Sequence, residues 1–190
     1  MHVVFGGAFN PPTKAHLDAV LHIRQRLDVG KVVFLPVGSA YGKPLDVSDT
    51  HRLKMLELLV ETLADAEIST MEIDSKTYEG TYATLKRLEN VYEGDLAFVI
   101  GADHLEKLPR WICAEALLEE FTIIVLNRGR VDLESILEKD AWLQRRRESL
   151  ILLDDYDDDA SSSAFRRSRD FSLLPDAVAA YVKCHDLYEE

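Results

Sequence analysis

The chain has 190 residues and a net charge of −12, with 47% hydrophobic and 29% charged residues. That length suits one domain, residues 1–190, with a sizeable core, and the composition is typical of globular proteins. The acidic balance argues against nucleic acid or an anionic membrane as the main partner, so an anionic ligand would need a local basic site. The amino terminus runs directly into a motif, and no apolar stretch approaches transmembrane length, which predicts a cytoplasmic protein.

Apolar stretches typical of buried strands recur along the chain, with helical segments between them. The predicted strands cover residues 2–6, 31–37, 66–73, 95–101, 121–127 and 149–153. Core-facing stripes are expected on the first two helices. Their members are Leu17, Val20, Leu21 and Leu27, then Leu53, Leu56, Val60 and Leu63. The alternation predicts an α/β fold, a Rossmann-like doubly wound parallel sheet with helices on both faces.

The most informative segment follows the first predicted strand and reads GGAFNPPTKAH, residues 6–16. A strand, a glycine turn and a helix in this order present backbone N–H groups to a phosphate. Thr13 and His16 are three residues apart, so they share a face of the first helical turn. An ordinary strand-to-helix turn with a surface histidine is the alternative. The coincidence of strand, turn and Thr-x-x-His pair favours the phosphate site.

A second segment of the same kind reads ASSSAFR, residues 160–166. Its three serines precede a helix-compatible stretch, where hydroxyl groups cap the helix and can bind an anion. Arg166 lies one turn further on and can donate two hydrogen bonds to phosphate oxygens. Taken alone, the segment is equally consistent with a capped surface helix. Taken with the first motif, it indicates a nucleotide phosphate site.

Together the two motifs resemble those of the nucleotidylyltransferase superfamily, in its nicotinate/nicotinamide mononucleotide adenylyltransferase branch. The signatures of that branch are GGxF(D/N)Pxx(H/T)xGH near the start and SS(T/S)xxR near the end. Other segments resemble the branch in the same order: Arg52 with Met55-Leu56 (RxxML), Thr81 with Thr84-Leu85 (TxxTL), Gly101-Ala102-Asp103 with Leu108 and Trp111 (GxDxxxxLxxW), and the tail from Leu174 to Tyr188. The resemblance therefore covers nearly the whole chain.

The resemblance implies an enzyme that transfers AMP from ATP to nicotinate or nicotinamide mononucleotide and releases pyrophosphate, a step of NAD biosynthesis. The expected partners are ATP and the pyridine mononucleotide. Mg²⁺ is the expected cofactor, bridging the phosphates mostly through water, and no residue of the chain is assigned as a metal ligand. Whether the protein forms a homo-oligomer stays open.

The resemblance also implies roles for individual residues. The catalytic residues are His16, Thr13 and Arg166, because an attacking phosphate oxygen is already anionic and needs alignment and charge neutralisation rather than a base. The expected ATP-binding residues are Gly7, Ala8, Phe9, His16, Gly101, Asp103, Ser161, Ser162, Ser163 and Arg166. The expected mononucleotide-binding residues are Asn10, Lys43, Thr81 and Trp111. Asp103 could instead cap a helix, Trp111 could be a core aromatic, and Lys43 could be a surface lysine.

Three departures from the family pattern leave other functions open. Ala15 stands where the family commonly has glycine, and Thr13 replaces the first histidine. Glu79-Gly80-Thr81 stands where nicotinate-specific relatives have Ser-Tyr-Thr, so the choice of acceptor is undecided. The alternatives are an adenylyltransferase for another phosphate-bearing acceptor, such as phosphopantetheine, and a noncatalytic nucleotide-binding or sensor protein on the same fold. The acidic run at 154–159 is expected to be a solvated loop rather than a metal site.

Overall fold

The computed structural model describes residues 1–42, 44–128, 131–156 and 161–189. Its strands are β1 His2–Gly7, β2 Val32–Pro36, β3 Ala66–Ile68, β4 Leu96–Gly101, β5 Thr122–Leu126 and β6 Leu150–Leu153. Its helices are α1 Lys14–Arg26, α2 Asp49–Val60, α3 Thr81–Leu88, α4 Ala102–Leu105, α5 Ala114–Glu120, α6 Leu133–Lys139, α7 Ala141–Arg145, α8 Ser162–Ser168 and α9 Asp176–Cys184. Within these ranges, none of the helices has both the length and the apolar character needed to cross a membrane.

The strands form one parallel sheet in the order β3-β2-β1-β4-β5-β6. The chain builds outward from β1 to β3, then returns to place β4 on the other side of β1. This is the doubly wound order, and it confirms the predicted fold class. Because the winding direction reverses between β1 and β4, the crevice at their carboxyl ends is where such folds bind ligands.

Each face of the sheet packs against its own set of helices. Val3 of β1 lies in a core built with α1, α2, α8 and α9. Its neighbour Val4 lies in a second core built with α3 to α7. Both valines are completely buried. Burial on both faces explains why the central strands are apolar at every position rather than at alternate ones.

The edge strand β3 is shorter than the predicted 66–73 and ends at Ile68. The chain turns at residues 70–74, because the Thr70 hydroxyl donates to the Asp74 carboxylate at 2.6 Å and the Asp74 N–H donates to the Thr70 carbonyl at 2.9 Å. The turn directs the following residues toward the loop after β2, and it brings Glu72 beside Gly38.

The predicted core stripes are right only in part. Leu21 of α1 is 43% exposed, and the residues of α1 that are buried include Ala15, Ala19 and Ile23. Small alanines face the core at the start of α1 because that end of the helix lies close to the turn after β1. On α2, Leu56 is buried as predicted, but a charged residue, Arg52, is buried with it.

We expect Gly38→Ala to destabilise the protein. A Cβ atom at this position would lie 2.1 Å from the backbone carbonyl oxygen of Glu72, which cannot rotate away. Overpacking of this kind lowers the free energy of unfolding by about 1–3 kcal/mol, measurable by urea denaturation. Gly30→Ala is the matched control, because its Cβ would meet first the movable His2 ring, at 3.3 Å. Equal stability of the two variants would contradict the close approach at Gly38.

Candidate active site

A cavity of about 470 Å³ opens at the carboxyl edge of the sheet. Its lining includes Gly6 and Gly7, which end β1, and Ala8, which begins the following loop; we call these three residues the glycine turn. The α1 lobe of the cavity is lined by Ala15, Ala19, Val99, Leu126 and Tyr156. The Trp111 lobe is lined by Leu35, Thr81, Phe98, Ile100 and Trp111. Since the two lobes belong to opposite faces of the sheet, a ligand that fills both must pass over the glycine turn.

The glycine turn is closely packed. A Cβ on Gly6 would lie 2.6 Å from the Phe98 ring, so a larger residue would require that ring to move. Phe9 has a φ of 45°, which is unusual for a bulky residue. Its ring is 1% exposed and lies 5.6 Å from the Phe34 ring and 5.1 Å from the His16 ring. Burial of the ring holds this backbone conformation, and such strained positions cluster at functional sites.

Arg52 of α2 is completely buried beneath the same turn. Its guanidinium donates to the Ala8 carbonyl at 2.6 Å and to the Val37 carbonyl at 2.5 Å. It also pairs with Asp49 at 2.6 Å. One side chain therefore connects the loop after β1 to the loop after β2.

His16 lines the cavity as a neutral imidazole. The Thr13 backbone N–H lies 2.9 Å from Nδ1, and the Thr13 hydroxyl lies at the same distance. A backbone N–H can only donate, so Nδ1 accepts and Nε2 carries the proton of the neutral ring. Burial, reinforced by the positive charge of Arg128, lowers the pKa of His16 to about 4. The site therefore offers a fixed N–H donor, and Thr13 is completely buried behind it.

Arg128 follows β5 and lines the α1 side of the cavity next to Gly101. Its guanidinium lies 3.5 Å from the Asp103 carboxylate. Asp103 is the second residue of α4, and Gly101 occupies the cap position, so the interpretation of Asp103 as a helix cap is wrong. Asp103 is exposed, and its carboxylate lies beside the lining residue Gly101. Its predicted contact with ATP stays a prediction.

The structure brings the two sequence motifs together. The Ser162 hydroxyl donates to the Pro11 carbonyl at 2.7 Å, and the Arg166 guanidinium donates to the Asn10 carbonyl at 2.5 Å. The start of α8 therefore packs directly on the turn that precedes α1.

Neighbouring serines hold α8 itself. Ser161 caps the helix by accepting from the Ala164 N–H at 3.0 Å, and Ser163 accepts from Arg166 at 3.4 Å. The three serines and Arg166 lie beside the cavity rather than among the residues that line it. Their contact with ATP phosphates stays a prediction.

The structure places two of the predicted mononucleotide-binding residues, Thr81 and Trp111, in the Trp111 lobe and Asn10 outside it. Thr81 begins α3, and it lines the Trp111 lobe together with Trp111. The Trp111 ring packs edge-on against Phe98 at 6.3 Å, so it is both a cavity wall and part of the core boundary. Asn10 is 2% exposed, and its amide is engaged by protein groups outside the lobe. Lys43 lies outside the described residues.

Gly80 has a φ of 90°, and a Cβ there would lie 2.8 Å from the Ile112 side chain, so this position requires glycine. Glu79, beside it, pairs with Arg87. The carboxyl group that does line the Trp111 lobe is Glu72, which accepts from the Thr84 hydroxyl at 3.1 Å. Burial raises the pKa of Glu72 above its ordinary value.

Comparison with known proteins identifies the family. Residues 4–168 match the family model described as cytidylyltransferase-like. A protein of Acholeplasma laidlawii named "probable nicotinate-nucleotide adenylyltransferase" is 34% identical over 194 residues, covering 100% of this chain and 98% of that protein. A protein of the same name from Staphylococcus haemolyticus is 31% identical, covering 98% and 96%. The chain belongs to the nicotinate-nucleotide adenylyltransferase family.

The predicted family and the prediction of a nucleotidyltransferase enzyme are thereby confirmed. Among solved structures, the Plasmodium falciparum nicotinic acid mononucleotide adenylyltransferase complexed with NaAD superposes with a TM-score of 0.75. It is 22% identical, and the match covers 98% of this chain and 96% of that one. This likeness supports the fold.

Three residues of the candidate site were not predicted from the sequence. Arg128 could have been found, because a basic residue directly after a central parallel strand stands at the ligand-binding edge. Arg52 belongs to the RxxML segment, but the spacing of that segment does not indicate which backbone carbonyls Arg52 binds. Glu72 falls within a predicted strand, and only the early end of β3 brings it to the cavity.

Metal binding by side chains alone has no support in the described ranges, which contain no cluster of three or more His, Cys, Asp or Glu residues suited to an ion. Within the acidic run, Asp154 accepts from Asn127 at 3.3 Å and Asp155 pairs with His22 and Arg26 of α1. These two carboxylates are engaged by protein groups. Residues 157–160, including the rest of the acidic run and the first residue of ASSSAFR, lie outside the described residues.

The structure predicts the titration of His16. We expect NMR to give a pKa of about 4 instead of 6.5, and Arg128→Gln to raise it partway, because burial, the larger cause, remains. The folded state binds this proton less well than the unfolded chain. His16 therefore contributes stability above pH 6.5 that is lost as the pH falls toward 4.

The His16→Gln spectrum assigns the resonance. A wild-type pKa near 6.5, or one that Arg128→Gln leaves unchanged, would contradict the described environment.

Proposed function

We propose that this protein transfers AMP from ATP to a pyridine mononucleotide, nicotinate or nicotinamide mononucleotide, releasing pyrophosphate and forming the dinucleotide used in NAD biosynthesis. The observation that carries the proposal is His16, held neutral with its N–H donor at the glycine turn where the two lobes of the cavity meet. A site built in this way suits two nucleotides whose phosphates react between the lobes.

The proposed reaction needs alignment more than acid or base catalysis. A phosphate oxygen of the mononucleotide attacks the α-phosphorus of ATP, a new P–O bond forms, and the bond to the β-phosphate breaks. The leaving pyrophosphate carries away that electron pair. Because the attacking oxygen is already ionised, the protein has to hold both groups in line and neutralise charge in the transition state.

Individual residues support this division of work. His16 would donate from Nε2 to an oxygen of the α-phosphate. Thr13 would act through His16, because its N–H and hydroxyl both lie against Nδ1. Arg128 supplies a guanidinium within the cavity, and Arg166 is the proposed contact of the outer phosphates. The backbone of the glycine turn and the start of α8 would complete the ATP side.

The proposed cofactor is Mg²⁺ that enters bound to ATP. Mg²⁺ in nucleotide sites keeps several waters and takes most of its other ligands from phosphate oxygens. This coordination by water and phosphate is consistent with a site whose described residues provide no cluster of metal ligands. When bound, the ion neutralises phosphate charge.

We also propose that residues 1–190 act as one domain, in the cytoplasm where ATP is available.

The acceptor would occupy the Trp111 lobe. The Trp111 ring offers a flat apolar wall for a pyridine ring, and Thr81 offers a hydroxyl. Arg110 contributes a positive charge to the lining, whereas Glu72 contributes a carboxyl group. The positive charge of Arg110 favours binding of the nicotinate carboxylate, whereas Glu72 disfavours it when Glu72 is ionised. The lobe therefore suits both acceptors, with discrimination set by opposing charges.

The deciding experiment incubates the purified protein with MgATP and one acceptor at a time. Pyrophosphate and dinucleotide should appear in equal amounts with nicotinate or nicotinamide mononucleotide, and neither should appear with phosphopantetheine. Binding of MgATP without pyrophosphate release from any acceptor would favour the noncatalytic alternative. Turnover with phosphopantetheine alone would assign the other acceptor class.

We expect His16→Ala to reduce turnover by roughly 10²–10³-fold, because it removes one preorganised donor to a transition-state oxyanion. ATP binding and folding should be largely retained. His22→Ala on the same helix is the matched control, since His22 pairs with Asp155 outside the cavity lining. Turnover near the wild-type level in His16→Ala would remove His16 from the mechanism.

The two sides of the Trp111 lobe predict different kinetic effects. Trp111→Ala should raise KM for both mononucleotides by a similar factor, because stacking, worth about 0.5–1.5 kcal/mol, does not distinguish a carboxylate from an amide. Glu72→Gln should shift the kcat/KM ratio toward nicotinate mononucleotide, because it removes a carboxyl group that opposes one.

We expect the wild type to use both acceptors, nicotinate mononucleotide weakly favoured. A preference above roughly 10³-fold, or about 4 kcal/mol, would reveal a dedicated recognition group that these residues do not provide. Unchanged KM values in Trp111→Ala would restrict that tryptophan to a packing role.

A further inference from the structure

A chain of hydrogen bonds connects the carboxyl-terminal segment to the guanidinium of Arg166. The Tyr188 hydroxyl donates to Asn10 Oδ1 at 2.8 Å, and Asn10 Nδ2 donates to Asp46 Oδ2 at 2.7 Å. The same Asp46 oxygen lies 3.2 Å from Arg166 Nε. Arg166 Nη1 donates to the Asn10 carbonyl, which closes the circuit. We call these four residues the Asn10 network.

The network is rigidly placed at its inner end. Asn10 is 2% exposed and Tyr188 is 7% exposed. The Tyr188 ring packs edge-on against Phe165 at 5.7 Å, and Phe165 immediately precedes Arg166 on α8. Burial raises the pKa of the Tyr188 hydroxyl, which therefore remains a neutral donor. Tyr188 thus contacts α8 through its ring and the turn before α1 through its hydroxyl.

The contacts leave one edge of Arg166 accessible. Nε and Nη1 are directed at Asp46 and Asn10, whereas Nη2 faces the Ser163 hydroxyl at 3.4 Å, and the side chain is 27% exposed. A guanidinium held from behind in this way keeps donors for an anion in front. Ordering a long side chain before the ligand arrives removes an entropic penalty from binding.

We propose that Asp46 and Tyr188 are positioning residues that fix the Arg166 guanidinium for the outer phosphates of ATP. The inference rests on the proposed function, in which Arg166 contacts those phosphates. The inference gives Asp46 a favourable role in ATP binding, although its negative charge alone would oppose that binding. An acidic group beside a phosphate-binding arginine weakens attraction for ATP unless its geometric effect is larger.

Because the charge of Asp46 and its positioning of Arg166 have opposite effects on ATP binding, the direction of the change in KM for ATP in Asp46→Ala distinguishes them. If Asp46 positions Arg166, the variant should raise KM for ATP about tenfold, the scale of one lost hydrogen bond to a charged group. If Asp46 acts only through its charge, the variant should lower KM for ATP. KM for the mononucleotide should stay within about twofold in either case, because it lacks the outer phosphates. A lowered or unchanged KM for ATP overturns the inference.

Tyr188→Phe tests the distant end of the network. It removes one hydroxyl and keeps the ring, and it should raise KM for ATP about threefold. Tyr181→Phe is the matched control, because the Tyr181 hydroxyl lies 3.0 Å from His51 on α2 and is hydrogen-bonded there instead of to a member of the network. The Tyr188→Phe and Asp46→Ala effects should be non-additive, whereas Tyr181→Phe should add independently. Equal behaviour of the two tyrosine variants, or additivity in both pairs, overturns the inference.

Arg166→Ala separates this inference from the proposed function. An unchanged KM for ATP in Arg166→Ala would refute the placement of Arg166 on the outer phosphates, and with it the inference. A raised KM in Arg166→Ala with no effect in Asp46→Ala and Tyr188→Phe would leave the proposed function intact and overturn the inference alone. Asp46 is half exposed, so its variant should fold even if Tyr188→Phe loses stability.

Discussion

The buried guanidinium of Arg52 determines the geometry on which the rest of the site depends. Burying a cation is costly unless most of its donors are paired, and this one donates to two backbone carbonyls and the Asp49 carboxylate. Its Nε has no hydrogen-bond partner in the described part of the chain. The carbonyls belong to the loops after β1 and β2, so one side chain fixes the spacing of two loops. Removing it would deprive both carbonyls of this charged donor.

The properties of His16 follow from that fixed frame. The turn that Arg52 holds through the Ala8 carbonyl leads into Phe9, whose buried ring packs against His16 and whose backbone has a positive φ. Thr13 then caps the start of α1, with its N–H directed at His16 Nδ1. The imidazole is therefore oriented and kept neutral by its surroundings before any ligand binds. Preorganisation of this kind is the main contribution that a protein makes to a reaction driven by alignment.

Much of this could be predicted from the sequence because the information is local. The apolar strands, the glycine turn and the Thr-x-x-His spacing lie within short segments, and the parallel arrangement of β1 to β6 follows from their alternation with helices. Leu21 was misassigned because helix periodicity does not give the tilt of a helix near a turn. Glu72 and Asp46 depend on contacts between distant segments. Their hydrogen bonds to Thr84 and Asn10 form only in the folded chain, so the sequence alone does not predict them.

The contrast between the acidic exterior and the two arginines of the cavity, Arg110 and Arg128, affects how a nucleotide arrives. At physiological ionic strength a charge is felt over about 8 Å, so an approaching polyphosphate meets repulsion from the surface as a whole and attraction only near the cavity mouth. Salt then acts in opposite directions on the two stages. It weakens the distant repulsion and also the final attraction, so the capture rate should depend on ionic strength less steeply than for a protein with a basic surface.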